Sequence, residues 1–180
     1  MLPMPIVVHT SVIAGCFKLG LLALFSGMLF TFIVRRLSHA FDFIAKPRSD
    51  RWHSKPTALL GGVAIWAAFS LVLALTMGSY SHSIIYLFLG ALSVFILGLL
   101  DDLYQLRPYV KLIGQIISAL FLIKMGFLLP WSDYYLINAG VTLFWIVGIT
   151  NAVNLLDNMD GLSAGICAIA SLILVVTFLL

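Results

Sequence analysis

From Pro56 to Leu100 the chain runs 45 residues without a single Asp, Glu, Lys or Arg. Few folds can hold such a stretch. A helix that crosses a bilayer needs about 20 apolar residues, with about 17–25 the usual range. The stretch is therefore long enough for two spans and a turn. The turn is readable at Met77-Gly78-Ser79-Tyr80-Ser81-His82, a polar patch of turn-forming residues. This predicts helices over Ala58–Met77 and Ile84–Leu100. Further apolar runs predict Val12–Val34, Leu112–Leu129, Tyr135–Ala152 and Leu162–Leu180, the first with Lys18 as its only charge. Strand-like alternation is absent, and inside a bilayer only helices and closed barrels satisfy their own backbone. The expected fold is all-α: a polytopic transmembrane helical bundle of about six spans, forming one membrane domain over the whole chain.

Composition agrees. Hydrophobic residues make up 62% and charged residues 9%, against about 25% charged in an ordinary globular protein. A soluble domain could not cover its surface with so few charges, and a nucleic-acid module needs far more basic ones. The N-terminus has no basic stretch of the secretory type. Cys16 and Cys167 fall at opposite ends of their predicted spans, so they are expected to be unpaired packing residues.

The basic residues orient the bundle. Arg35, Arg36, Lys46, Arg48, Arg51 and Lys55 gather in the first loop, and Arg107 and Lys111 in the third. The N-terminal tail and the second loop carry no Lys or Arg. By the positive-inside rule the N-terminus lies outside and loops one, three and five face the cytoplasm. Lys18 and Lys124 sit nearer the outer ends and can reach water there.

All seven acids are Asp. Asp42, Asp50, Asp101, Asp102, Asp157 and Asp160 fall on the side assigned to the cytoplasm, and only Asp133 outside. Asp101 and Asp102 close the third helix, where the macrodipole opposes each carboxylate by about 0.3–1 kcal/mol. Only pairing with Lys111 or Arg107 would offset this structurally, so the pair is read as functional. Asn151, Asn154, Asp157 and Asp160 recur every three residues. A step of three turns a helix by about 300°, so the four form one drifting polar stripe. Asp160 could alternatively be a plain N-cap of the last helix. Carboxylates and amides without a Cys or His cluster are hard oxygen donors, suited to Mg²⁺ or Mn²⁺ rather than Zn²⁺. Arg51, His53 and Lys55, with Lys46 and Arg48, supply cations for a phosphate group. The residues thus point to a metal and a phosphorylated ligand at the cytoplasmic face.

Three segments resemble one family. Gly98-Leu-Leu-Asp101-Asp102-Leu-Tyr-Gln-Leu106-Arg107-Pro-Tyr-Val-Lys111-Leu112-Ile-Gly-Gln115 resembles the first acidic motif of the polyprenyl-phosphate N-acetylhexosamine-1-phosphate transferases. Asn151-Ala-Val-Asn154-Leu-Leu-Asp157-Asn-Met-Asp160-Gly161 resembles their second. Asp42 through His53, with Pro56-Thr57 and Gly61-Gly62, resembles their first cytoplasmic loop. Asn158 stands where many members have Gly, and Arg51 lies two residues before His53 rather than three.

The resemblance implies a Mg²⁺-dependent enzyme of the bacterial cytoplasmic membrane. It would move a sugar-1-phosphate from a UDP-N-acetylhexosamine to a polyprenyl phosphate, releasing UMP and starting a cell-envelope glycan. By position, Asp101 and Asp102 would be the catalytic acids near the lipid phosphate. Asp157 and Asp160 would hold the metal. Asn154, Lys111, His53, Arg51 and Lys55 would bind substrate. The expected partners are the lipid, the UDP-sugar and the membrane; nucleic acid is excluded and a homodimer left open. Members of the family carry more spans, which implies an N-terminal portion here. The alternative is an inactive truncated relative that binds nucleotide or lipid phosphate, or only packs in the membrane.

Overall fold

In the computed structural model, residues 10–41, 44–45, 57–58, 60–76, 82–157 and 161–179 are described. Among them are six helices: α1 (Thr10–Ala40), α2 (Gly61–Thr76), α3 (His82–Tyr104), α4 (Pro108–Lys124), α5 (Tyr135–Leu156) and α6 (Leu162–Leu179). Two strands, β1 (Ile44–Ala45) and β2 (Thr57–Ala58), pair antiparallel with Ile44 opposite Ala58 and Ala45 opposite Thr57. The architecture is the expected all-α one, with this small strand pair across the first loop as the departure. β2 occupies the predicted start of the second helix, which begins instead at Gly61.

α1, α3 and α5 are long and apolar enough to cross a membrane. α2, α4 and α6, at 16, 17 and 18 residues, reach only about 24–27 Å. That is slightly less than a hydrocarbon core of about 30 Å. The surface fits this reading. Leu136 is 81% and Phe178 87% exposed, and the buried positions include small residues such as Ala64, Ala68, Ser118 and Ala119. A water-facing surface this apolar would not stay monomeric. The chain is a multi-pass membrane protein built from helices.

Several boundaries differ from expectation for identifiable reasons. α1 continues past Val34 through Arg35, Arg36 and His39. The Arg36 guanidinium lies 4.5 Å from the Phe32 ring centroid, one turn back, and cations suit a helix C-terminus. α4 stops at Lys124 instead of running to Leu129. Gly126 adopts φ +94, its N–H reaches the Ile123 carbonyl (3.0 Å), and the Phe127 N–H reaches that of Leu122 (3.0 Å). This is a Schellman ending, which needs the left-handed conformation that glycine adopts without strain.

The chain divides into two compact units, Leu22–Val147 and Met1–Leu21 with Gly148–Leu180. In the first, α3 packs most extensively on α4 and also against α2. The α3–α4 contact is close because of two glycines. A Cβ on Gly90 would lie 2.6 Å from Leu122 Cδ2, and one on Gly114 2.8 Å from Leu97 Cδ1. Beside them Ser93 Oγ donates to Ser118 Oγ (2.8 Å), and Ser118 Oγ to the Gly114 carbonyl (3.0 Å). Small residues and hydroxyl bonds are how helices associate where burying apolar surface gives no gain. On the α2 side, Trp66 stacks on Phe95 with ring centroids 4.9 Å apart.

The α4–α5 connection is held by one amide. Asn138 Oδ1 accepts from the Trp131 N–H (3.0 Å) and the Ser132 N–H (2.8 Å), while Nδ2 donates to the Ser132 carbonyl (2.8 Å). One turn on, Thr142 Oγ1 accepts the Leu129 N–H at 2.9 Å. Asn138→Ala takes the partner from the partly buried Ser132 N–H and carbonyl, while the exposed Trp131 N–H keeps the Leu129 carbonyl at 2.9 Å. The expected loss is about 1–3 kcal/mol, seen as a lower thermal midpoint of the detergent-solubilised protein. An unchanged midpoint would show that water replaces the amide without cost.

Candidate active site

The first acidic motif is brought together by the α3–α4 turn. α3 does not end at Leu100 but carries Asp101 and Asp102 in its last turn. Gln105, at φ 52, turns the chain out of the helix while its N–H still reaches the Asp101 carbonyl at 2.8 Å. A non-glycine residue there costs about 1–2 kcal/mol. The next N–H, of Leu106, is accepted by Asp101 Oδ1 at 3.0 Å. Arg107 then caps α4 with extended backbone, and Pro108 takes the first helical position, where a missing N–H costs nothing.

This turn places Lys111, on the first turn of α4, against Asp101. Lys111 Nζ lies 2.5 Å from Asp101 Oδ2, with the side chains 32% and 23% exposed. The pairing anticipated as the structural alternative is therefore present, between Lys111 and Asp101. Asp102, the next residue, is exposed. Arg107 Nη1 donates to Tyr109 Oη at 3.2 Å, also exposed. The motif thus presents an ammonium, a guanidinium and a carboxylate within the turn that joins two helices. Such a group suits a phosphate monoester, whose charge the cations offset and whose proton the carboxylate can take.

The second acidic motif lies in the other unit and is described on its own. α5 runs beyond Ala152 to Leu156, so Asn154, expected just past the helix end, is helical together with Asn151. Both are exposed, as is Asp157, which follows the helix with its N–H on the Val153 carbonyl at 3.2 Å. Gly161, at φ +75, leads into α6, and its carbonyl accepts the Gly165 N–H at 2.9 Å. The polar stripe exists as far as Asp157. Asp160 lies outside the described residues, and so do Asp42, Lys46, Arg48, Asp50, Arg51, His53, Lys55 and Asn158.

Among the described residues no group of three His, Cys, Asp or Glu could hold a metal ion. The donors that are described, Asp157 and the Asn154 amide, are all oxygen. That chemistry fits Mg²⁺, which takes one or two carboxylates and leaves its other positions to water and phosphate.

Comparison with known proteins bears on the same segments. Residues 84–180, which contain both acidic motifs, match glycosyl transferase family 4. The chain is 32% identical over 164 residues to a probable undecaprenyl-phosphate N-acetylglucosaminyl 1-phosphate transferase of Bacillus subtilis, covering 83% of this chain and 44% of that protein. It is 34% identical over 160 residues to a decaprenyl-phosphate N-acetylglucosaminephosphotransferase of Mycobacterium tuberculosis, covering 77% and 39%. It is 33% identical over 162 residues to a phospho-N-acetylmuramoyl-pentapeptide-transferase of Lactobacillus johnsonii, covering 75% and 50%. No solved structure matches. The chain spans half or less of the length of these relatives. With its two acidic motifs inside the matched region, the chain belongs to glycosyl transferase family 4.

Proposed function

We propose that this chain is the motif-bearing part of a membrane enzyme that transfers a sugar-1-phosphate, from a UDP-N-acetylhexosamine, to a polyprenyl phosphate. The observation that carries the reading is the Asp101, Asp102 and Lys111 group gathered by the α3–α4 turn. An oxygen of the lipid phosphate attacks the sugar-bearing phosphorus of the UDP-sugar. The bond from that phosphorus to the bridging oxygen breaks, UMP leaves with that oxygen, and a polyprenyl-diphospho-sugar remains.

In this reading Asp102 meets the lipid phosphate and takes its remaining proton. Lys111 offsets charge on the phosphates as the attacking oxygen closes. Arg51, His53 and Lys55 of the first loop bind the anionic substrate. Asp157 and Asp160, with the Asn154 amide, would hold Mg²⁺, which when bound offsets the charge of the diphosphate. The basic loops of the sequence support a site at the cytoplasmic face of a bacterial membrane, with the N-terminus outside.

Membranes carrying the chain, supplied with undecaprenyl phosphate, UDP-N-acetylglucosamine and Mg²⁺, are expected to release UMP only when the lipid is present. Binding of UDP-N-acetylglucosamine without UMP release would replace this reading with that of a non-catalytic relative.

A further inference from the structure

The two acids of the first motif are adjacent in sequence but not equivalent in place. Asp101 uses both carboxylate oxygens inside the fold: Oδ1 accepts the Leu106 N–H, and Oδ2 meets the Lys111 ammonium. Neighbouring residues on a helix point about 100° apart, so Asp102 projects in a different direction, and it is exposed where Asp101 is partly buried.

We infer that Asp101 is a positioning residue. It fixes the α3–α4 turn and holds Lys111 toward the substrate phosphates, while Asp102, exposed at the next helix position, is the carboxylate that meets them. This rests on the transferase reading above. Only Gln105, Leu106 and Arg107 separate α3 from α4. The bond to Leu106 therefore sets where the first turn of α4 begins, and the ion pair sets where Lys111 points from it. An ammonium has three donors, so Lys111 can keep Asp101 on one and offer the others to a phosphate. Taking a proton at Asp101 would break the ion pair and release Lys111 at the moment its charge is needed.

The test compares wild type, Asp101→Asn, Lys111→Met and the double variant in membranes with undecaprenyl phosphate, UDP-N-acetylglucosamine and Mg²⁺. Asn keeps an oxygen for the Leu106 N–H and removes only the charge facing Lys111. UMP release is expected to fall about 10- to 100-fold in Asp101→Asn, the scale of a misplaced group. It should fall about 10²- to 10³-fold in Lys111→Met, the scale of a lost charge-stabilising donor. The double variant should be no slower than Lys111→Met alone, because Asp101 acts through Lys111. Losses that multiply would overturn the inference. A second readout is independent of turnover: acylation of Lys111 by a water-soluble amine reagent, measured against Lys124 by mass spectrometry. It should rise several-fold in Asp101→Asn as the ammonium loses its partner. Equal acylation in both proteins would overturn the inference whatever the activity. Raised acylation in a protein whose wild type releases no UMP would support the pairing and remove the transferase reading. Asp101→Ser, a smaller acceptor for the Leu106 N–H, is read the same way should Asp101→Asn not be recovered folded.

Discussion

Asp102→Asn is expected to slow UMP release by about 10²–10⁴-fold, the range lost when a positioned acid or base is removed. Asn has the shape of Asp and can still accept a hydrogen bond, so the last turn of α3 should be retained. Only the charge and the ability to take a proton disappear. Because those act in the transition state more than in binding, kcat should carry most of the loss and KM for the UDP-sugar little of it. Asp133→Asn provides the contrast. Asp133 is also an exposed Asp, but it lies in the α4–α5 connection, which the charge pattern assigns to the opposite face. Its rate should match wild type. An Asp102→Asn protein that turns over at the wild-type rate would remove Asp102 from the chemistry and leave the first motif as a structural turn.

What the sequence made legible, and what it hid, follows from the range of the interactions involved. The six helices follow from long apolar runs, a signal that lies in each segment by itself. The halt of α4 at Lys124 was also local: Gly126 followed by Pro130 is a stop signal inside an apolar run, outweighed by the apolar Phe127, Leu128 and Leu129 around it. The extension of α3 through Asp101 and Asp102 was not local. The macrodipole argues for ending the helix before them. It continues because Lys111, ten residues on, offsets one charge, and the Leu106 N–H occupies the same carboxylate. The β1–β2 pair joins residues separated by a polar loop and has no periodicity of its own over two-residue strands. The candidate site was legible as residue types at given spacings. Which of the two adjacent Asp meets Lys111 was not, since it depends on which carboxylate the turn folds back upon.

Removal of divalent metal is expected to have the largest effect. Both proposed substrates carry phosphate charge, and in the proposed reaction the leaving UMP gains more as its bond breaks. The chain offers few cations to meet it, only ten Lys and Arg in all. A bound divalent ion stabilises such charge by several kcal/mol, and each 1.36 kcal/mol is about tenfold in rate. Treatment with EDTA should therefore lower UMP release by about 10³-fold or more. Mg²⁺ should restore it, and Mn²⁺ as well, because oxygen donors accept both. Asp157→Asn tests where the ion sits. Loss of one carboxylate weakens the hold on a hard cation, so the Mg²⁺ concentration for half-maximal rate should rise about 10- to 100-fold. In Asp102→Asn that concentration should stay near the wild-type value, because Asp102 is assigned to the lipid phosphate. EDTA-treated membranes that keep their rate would exclude a metal role for the second motif. A raised Mg²⁺ requirement in Asp102→Asn but not in Asp157→Asn would move the ion to the end of α3.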